Sequence, residues 1–353
     1  MILQIETIGG HTMTRPSGTL AEQIGAWGLG GAAIGNLYRP VSEADAFETV
    51  RAAFDAGVRY FDTAPHYGFG LSEKRLGAAL AVIDPKQTAI LSTKVGRRLA
   101  PRPDADLTQA RQGFVSSEPF ESEFDYSYDA VMYSYEDSRK KLKRDRIDIL
   151  YVHDLGTRTH GEAHAQRFAE FMNGGYRAMR ELRDGGVVGA LGLGVNEWQI
   201  CEEALAHADY DVMLLAGRYT LLEQSALETF LPLCERRGVS IVVGGPYNSG
   251  ILARGVRGDQ TNLIYDYQTA LPHIISRVAA VEYVCDKHNV ILPAAALQFP
   301  LAHPQVICVI PGMNSPAEVS RAKEYLNLPI PAAFWRELRQ RNLIRPDAPV
   351  PSE

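Results

Sequence analysis

Cysteine is scarce in this chain: four in 353 residues, Cys201, Cys234, Cys285 and Cys308, lying far apart with none of the close pairing that holds a metal. That excludes a disulfide-stapled secreted scaffold and a zinc module, and the thiols read as reduced. Long apolar runs are missing too. No stretch approaches the roughly 20 apolar residues of a membrane span. The opening, MILQIETIGGHTMTRPSG, has no basic start followed by an apolar core, so neither a targeting segment nor membrane insertion is expected, and the cytoplasm is the expected location. Positive charge is in deficit, 36 Lys and Arg against 42 Asp and Glu, and the longest basic cluster is RKKLKR at 139–144. Nucleic acid and anionic surfaces would find little to hold. A small polar molecule is the expected partner, no metal is expected, and the oligomeric state stays open.

What the chain does have is a globular composition, 46% hydrophobic and 22% charged, and a recurring rhythm. Short apolar runs at about 26–30, 58–62, 89–93, 147–152, 188–194, 211–215, 239–243 and 306–310 are each followed by a turn and a helix-period segment, the pattern of repeated βα units. Helices are expected near 72–82, 128–143, 166–184, 197–207, 222–237, 271–288 and 316–326. Before them comes a helix opened by Ser42 with Asp45 as a capping box and stopped by Gly57. Eight strands with interleaved helices predict a (β/α)₈ barrel, one domain over 1–353. Two segments break the rhythm, 95–127 and 250–270. Both follow a strand, so both are expected at the barrel's C-terminal face as pocket walls.

Gly28-Leu29-Gly30-Gly31-Ala32-Ala33 matches the loose dinucleotide fingerprint. That motif has to open a helix onto a pyrophosphate. Here IGNLYRPVSE follows, with Gly35, Pro40 and a fresh cap at Ser42, so a tight first barrel strand is expected, with Gly30 and Gly31 left as candidates for close cofactor approach.

Four polar residues fall at or just past consecutive strand ends: Asp62 in VRYFDTAPHYG, Tyr67, Lys94 in AILSTK and His153 in IDILYVHD. Each alone has a structural explanation. A barrel brings these ends side by side, and together they make a proton-transfer set. A carbinol that loses hydride must also lose its hydroxyl proton, and a tyrosine with a pKa of about 10 is a poor neutral-pH base. A neighbouring ammonium, Lys94, favours phenolate; Asp62 orients Lys94; a neutral His153 directs the reacting oxygen.

FDTAPHYGFGLSEKRLG, the strand-end Lys94 and YVHD closely resemble the aldo-keto reductase family over roughly 24–340. The resemblance implies the barrel, no metal, Tyr67 as general acid/base, and a nicotinamide cofactor at the barrel mouth. GVN at 194–196 is similar to the family's carboxamide-binding segment, with Val195 in the serine place, Asn196 retained, and Ala216 where a glutamine is expected. In GGPYNSGIL the stacking aromatic is replaced by Gly244, so Tyr219 and Tyr247 become the candidate rings; Gly245, Pro246 and Ser249 complete that segment. VIPGMNSPAEVSRA resembles the phosphate and adenosine turn, drawing in Ile310, Pro311, Gly312, Asn314 and Glu318. A carboxylate at Glu318 would repel a 2′-phosphate, which favours NAD over NADP unless Arg321 offsets it.

Within the family, DYSYDAVMYSYEDSRKKL, RIDILYVHDLGTRTHG and GGPYNSGIL look like the NAD-linked aldose dehydrogenases of the L-fucose, D-arabinose and L-galactose type. The implied reaction oxidises a sugar's anomeric hydroxyl to the lactone, with Tyr67, His153, His66, Asp125 and Tyr126 as candidate substrate contacts. Oxidation of pyridoxal, NADPH-dependent carbonyl reduction, and a redox-sensing channel subunit on the same barrel remain as alternatives.

Overall fold

The computed structural model describes residues 19–258 and 262–351. The opening segment, read above for targeting, lies outside them, as do three residues of the second insertion. All eight expected barrel strands form: β1 (Leu29–Gly30), β2 (Tyr60–Asp62), β3 (Ile90–Val95), β4 (Ile147–His153), β5 (Val188–Val195), β6 (Val212–Ala216), β7 (Ser240–Gly244) and β8 (Val306–Ile310). They pair in parallel in chain order. Bridges from Trp27 to Val309 and from Gly30 to Gly312 join β1 to β8, closing a (β/α)₈ barrel.

Strand alternation sorts the side chains into two layers. Outward residues such as Phe61, Leu91, Leu150 and Leu193 pack under the helices. Inward residues, including Tyr60, Ile90, Ile149, Tyr151, Val212, Val242 and Cys308, fill the barrel, and Ile24 of the short helix Leu20–Ile24 joins that interior cluster. Two residues past Tyr60, past Ser92 and past Tyr151, the same inward parity delivers Asp62, Lys94 and His153. The register sets Asp62 beside Ser92, Lys94 beside Tyr151 and His153 beside Gly194.

The helices follow the sequence with instructive exceptions. Ser42 accepts from the Asp45 N–H, but Asp45 takes the Ser42 hydroxyl instead of its backbone N–H, so the box is half made. The expected helix at 222–237 is helical only from Phe230 to Arg237, after a single 3₁₀ turn at Ser225–Leu227. Thr220 and Gln224 hold the preceding chain as a turn. Helix Leu292–Leu301 was not expected: it is apolar nearly all round and buried, so no amphipathic stripe announces it. Helix Ala332–Gln340 was also missed. The segment 164–184 is one helical run with a π-helical turn at Phe171–Gly175.

Both insertions fold back as hairpins. Arg97–Pro101 pairs with Phe120–Phe124, and Ile264–Tyr265 pairs with Gln268–Thr269. The Gly28–Ala33 stretch opens no α-helix, only a 3₁₀ turn at Ala33–Gly35. No described helix is long and apolar enough to cross a membrane.

Candidate active site

At the C-terminal ends of β2, β3 and β4 the sequence-predicted tetrad comes together. The Lys94 ammonium donates to Asp62 Oδ2 at 2.8 Å, Asp62 Oδ1 at 3.0 Å and the Thr63 carbonyl at 2.9 Å. Lys94 is 1% exposed and Asp62 2%, so the pair is shielded from water and strongly coupled. Ser92 donates to Asp62 at 2.7 Å. Tyr60 lies 2.9 Å from Ser92 and 3.1 Å from Tyr151, hydroxyl to hydroxyl, so the floor continues downward as a polar column inside the barrel. Gly194 makes the room. A Cβ there would stand 3.0 Å from Lys94 Cε, closer than side chains normally tolerate.

Tyr67 is half-buried above this pair, its ring centroid 4.8 Å from Lys94 Nζ and 6.0 Å from the His153 ring, the two rings nearly perpendicular. Burial pushes the Tyr67 phenol well above its ordinary value, and the Asp62 and Asp154 carboxylates add to this. The expected Lys94-driven lowering is not what this environment gives, because Asp62 already neutralises Lys94. Burial also holds His153 well below the usual imidazole range, helped by the Lys94 and Arg97 charges, so it is neutral as expected. His153 Nε2 lies 3.5 Å from Asp154 Oδ2, and the nearby carboxylate favours the proton on Nε2.

A cavity of about 340 Å³ opens over Tyr67, His153 and Lys94. Both insertions wall it: Arg97, Gln112, Gly113 and Phe114 from the first, Tyr267 from the second, with Tyr38, His66 and Asn196 completing the rim. A neighbouring space of about 20 Å³ shares Ala216 and Tyr267 and is lined further by Gly217, Gly245, Asn248, Ser249 and Asp266. Asp266 pins the second hairpin, accepting from Arg158 at 2.6 Å and also from Arg218. The Asn196 and Asn248 side-chain carbonyls are buried without partners beside these two spaces, so acceptors are present for a donor such as a carboxamide NH₂.

The other sequence candidates separate clearly. His66 lines the cavity, edge-on to Phe114 at 5.2 Å. Tyr126 does not. It is fully buried, and its hydroxyl donates toward the His153 and Asp154 carbonyls at 2.9 and 3.0 Å, fixing the end of β4. Asp125 caps locally, accepting from the Ser127 N–H, and is outside the cavity. Tyr219 is also no cavity ring. It is fully buried, packed on Phe299 and His303. Tyr247 packs on the core, with Tyr325, Arg321 and Glu318 as its electrostatic neighbours, and Pro246 is buried outside both spaces. The ring that reaches both spaces is Tyr267.

Gly30 and Gly31 serve the barrel itself. Gly30 N–H donates to the Pro311 carbonyl, and Gly31 N–H to the Asp62 carbonyl. Ile310 fills the barrel interior, and Gly312 bridges Gly30. Glu318 accepts from the Asn314 N–H at 2.9 Å, and its partner cation is Arg39 at 3.0 Å, not Arg321; Arg39 also bonds Asn314. Sequence reasoning missed Arg39, Phe114 and Tyr267, which lie in loops and turns, and Arg97, the first residue of the first insertion's hairpin. Asp154 follows His153 directly in YVHD, where nothing local marks it as a wall residue.

The aldo/keto reductase family model matches residues 26–342. The chain belongs to the aldo/keto reductase family. Among its relatives, pyridoxal 4-dehydrogenase of Microbacterium luteolum is 43% identical, covering 94% of this chain and 97% of its own. D-threo-aldose 1-dehydrogenase of a Pseudomonas species is 38% identical, covering 91% and 95%. In three dimensions an aldo-keto reductase from Bacillus halodurans in its holo form superimposes with a TM-score of 0.68 at 25% identity, over 93% of this chain and 94% of that one. This aldo/keto reductase is therefore an NAD(P)-dependent oxidoreductase, and the Asp62, Tyr67, Lys94 and His153 cluster stands at the mouth of its barrel.

Proposed function

We propose that this enzyme oxidises the ring carbinol of a cyclic hemiacetal to a lactone, with NAD taking the hydride. The observation that carries the reading is the cavity floor: a phenol and a neutral imidazole face one space, while the Lys94 ammonium below them is already paired with a carboxylate. A nicotinamide bound beside Asn196 and along Gly217, Gly245 and Asn248 would supply the hydride acceptor. Tyr67 Oη takes the hydroxyl proton, and the reverse reaction uses the same phenol as acid. His153 Nε2–H directs the substrate oxygen. Lys94 and Asp62 keep a fixed dipole under the phenol, so that phenolate, when formed, meets a cation at its ring.

The relatives named for pyridoxal and for a D-threo-aldose share one chemical feature, an aldehyde that closes to a hemiacetal ring. The walls favour the flatter ring, for Tyr38, His66, Phe114 and Tyr267 present faces and edges while the polar groups of Arg97, Asp154 and Gln112 are bonded to one another and to Ser122, Glu121 and Asn196. Preference for NAD rests on Glu318, which occupies Arg39 at 3.0 Å, so that a 2′-phosphate would have to displace a carboxylate from that cation. Initial rates of nicotinamide reduction with NAD and with NADP, against pyridoxal, L-fucose, D-arabinose and L-galactose, test both parts. Rapid NAD reduction by at least one of these supports the reading. No oxidation of any of them, with NADPH consumed by simple aldehydes, would overturn it in favour of a carbonyl reductase.

A further inference from the structure

We propose that the Arg97–Asp154 ion pair restricts the cavity to uncharged substrates; this rests on the active-site reading above and adds what the wall refuses. Both side chains line the cavity, 11% and 10% exposed, and meet at 2.9 Å. All three guanidinium nitrogens of Arg97 donate within the protein: Nη1 to Asp154, Nη2 to Gln112 at 2.8 Å and Nε to Ser122 at 3.2 Å, with the guanidinium 4.6 Å from the Phe124 ring centroid. Asp154 is equally committed, since its second oxygen accepts from Asn196 Nδ2 at 3.1 Å. The chain turns through a left-handed conformation at Asp154, φ +52°, which aspartate adopts more readily than most non-glycine residues.

The ionised groups that line the cavity therefore cancel in two internal pairs, Lys94 with Asp62 and Arg97 with Asp154, while Arg158 and Arg218, which share Asp266, stand outside its lining. His66 and His153 are both held neutral by burial and by those same cations. A carboxylate or phosphate entering here would lose its hydration and find no unmatched cation. Removing the Asp154 charge alone leaves Arg97 without its counterion, and an anionic substrate becomes the group that replaces it.

The test compares two nearly isosteric aldehydes, 4-nitrobenzaldehyde and 4-carboxybenzaldehyde, reduced with NADH, whose nicotinamide ring is uncharged. In the wild-type enzyme kcat/KM for the nitro compound is expected to exceed that for the carboxylate by about 100-fold, and in Asp154→Asn this ratio is expected to fall by about tenfold or more. Replacing both residues, Arg97→Gln with Asp154→Asn, is expected to restore the high ratio. A purely structural role would lower both rates together and leave the ratio where it was.

Thermal unfolding reads the same property without turnover. Benzoate is expected to raise the Tm of Asp154→Asn but of neither the wild type nor the double variant. Wild-type enzyme that takes both aldehydes equally, or is stabilised by benzoate, overturns the proposal without any variant. An unchanged ratio or an unmoved Tm in Asp154→Asn also overturns it. Failure of the hemiacetal assay leaves this comparison standing, since it depends on neither lactone formation nor cofactor preference.

Discussion

The floor of the cavity and its walls are built by different rules. On the floor, Asp62, Lys94 and His153 sit on three adjacent strands at one inward parity, 1–6% exposed, with Ser92, Thr63 and the Tyr126 hydroxyl holding side chains and backbone. On the walls, Tyr38 and Tyr267 are about half exposed, at 48% and 55%, and sit on turns with positive φ. The second hairpin is held down by a few side-chain bonds: the Asp266 carboxylate between two arginines, the Tyr265 hydroxyl donating to Glu223 at 2.7 Å and the Tyr267 N–H to Ser249 Oγ at 3.0 Å. The floor is thus overdetermined and the walls are locally fastened, so chemistry and selectivity are separable by mutation.

The largest effect belongs on the floor. Tyr67→Phe is expected to lower kcat by about 10³-fold, roughly 4 kcal/mol of barrier, while cofactor binding and Tm stay close to wild type; near-normal turnover would remove the phenol from its role. Lys94→Met comes next. It leaves the buried Asp62 carboxylate without its cation and is expected to cost about 3–5 kcal/mol of stability, read by denaturant unfolding, together with most activity. An intermediate effect lies in the pH profile. With the Tyr67 phenol held high, oxidation is expected to rise about tenfold per pH unit from about pH 7 upward, since phenolate is the base. Reduction needs the protonated phenol and a neutral His153, so it is expected to stay flat from about pH 8 down to about 5.5. A bell centred near neutrality would contradict both directions. The smallest effect on stability belongs to the wall: Tyr267→Ala is expected to change unfolding by under about 0.5 kcal/mol while raising substrate KM several-fold. Equal losses in kcat and stability would erase the distinction between the regions.

Legibility in the sequence follows the same division. Strand periodicity locates all eight barrel strands, and a residue at an inward strand end has few places to go, so strand position alone places three of the tetrad and the short turn after β2 carries the fourth. Tyr126 was misread because a tyrosine in an acidic, aromatic insertion resembles a ligand contact, whereas the fold spends its hydroxyl on two backbone carbonyls. Tyr219 was misread for a similar reason: only the packing of helix Leu292–Leu301, which carries no amphipathic stripe, reveals what covers it. Arg39 meets Glu318 across 279 residues, and Arg97 meets Asp154 across 57. Pairings of that kind depend on which distant segments the fold brings together, and no local pattern encodes them.

The first insertion leaves the barrel at Gly96 and returns at Asp125, whose N–H donates to the Gly96 carbonyl at 3.1 Å. Gly96 has φ +93°, and the Tyr126 ring occupies the place where its Cβ would be. The excursion therefore begins and ends at one fastened point. Lengthening such a loop costs little, about 0.6 kcal/mol per doubling, and need not disturb β3 or β4. Descent with modification can exchange the whole segment as a cartridge, trying new specificities on an unchanged engine.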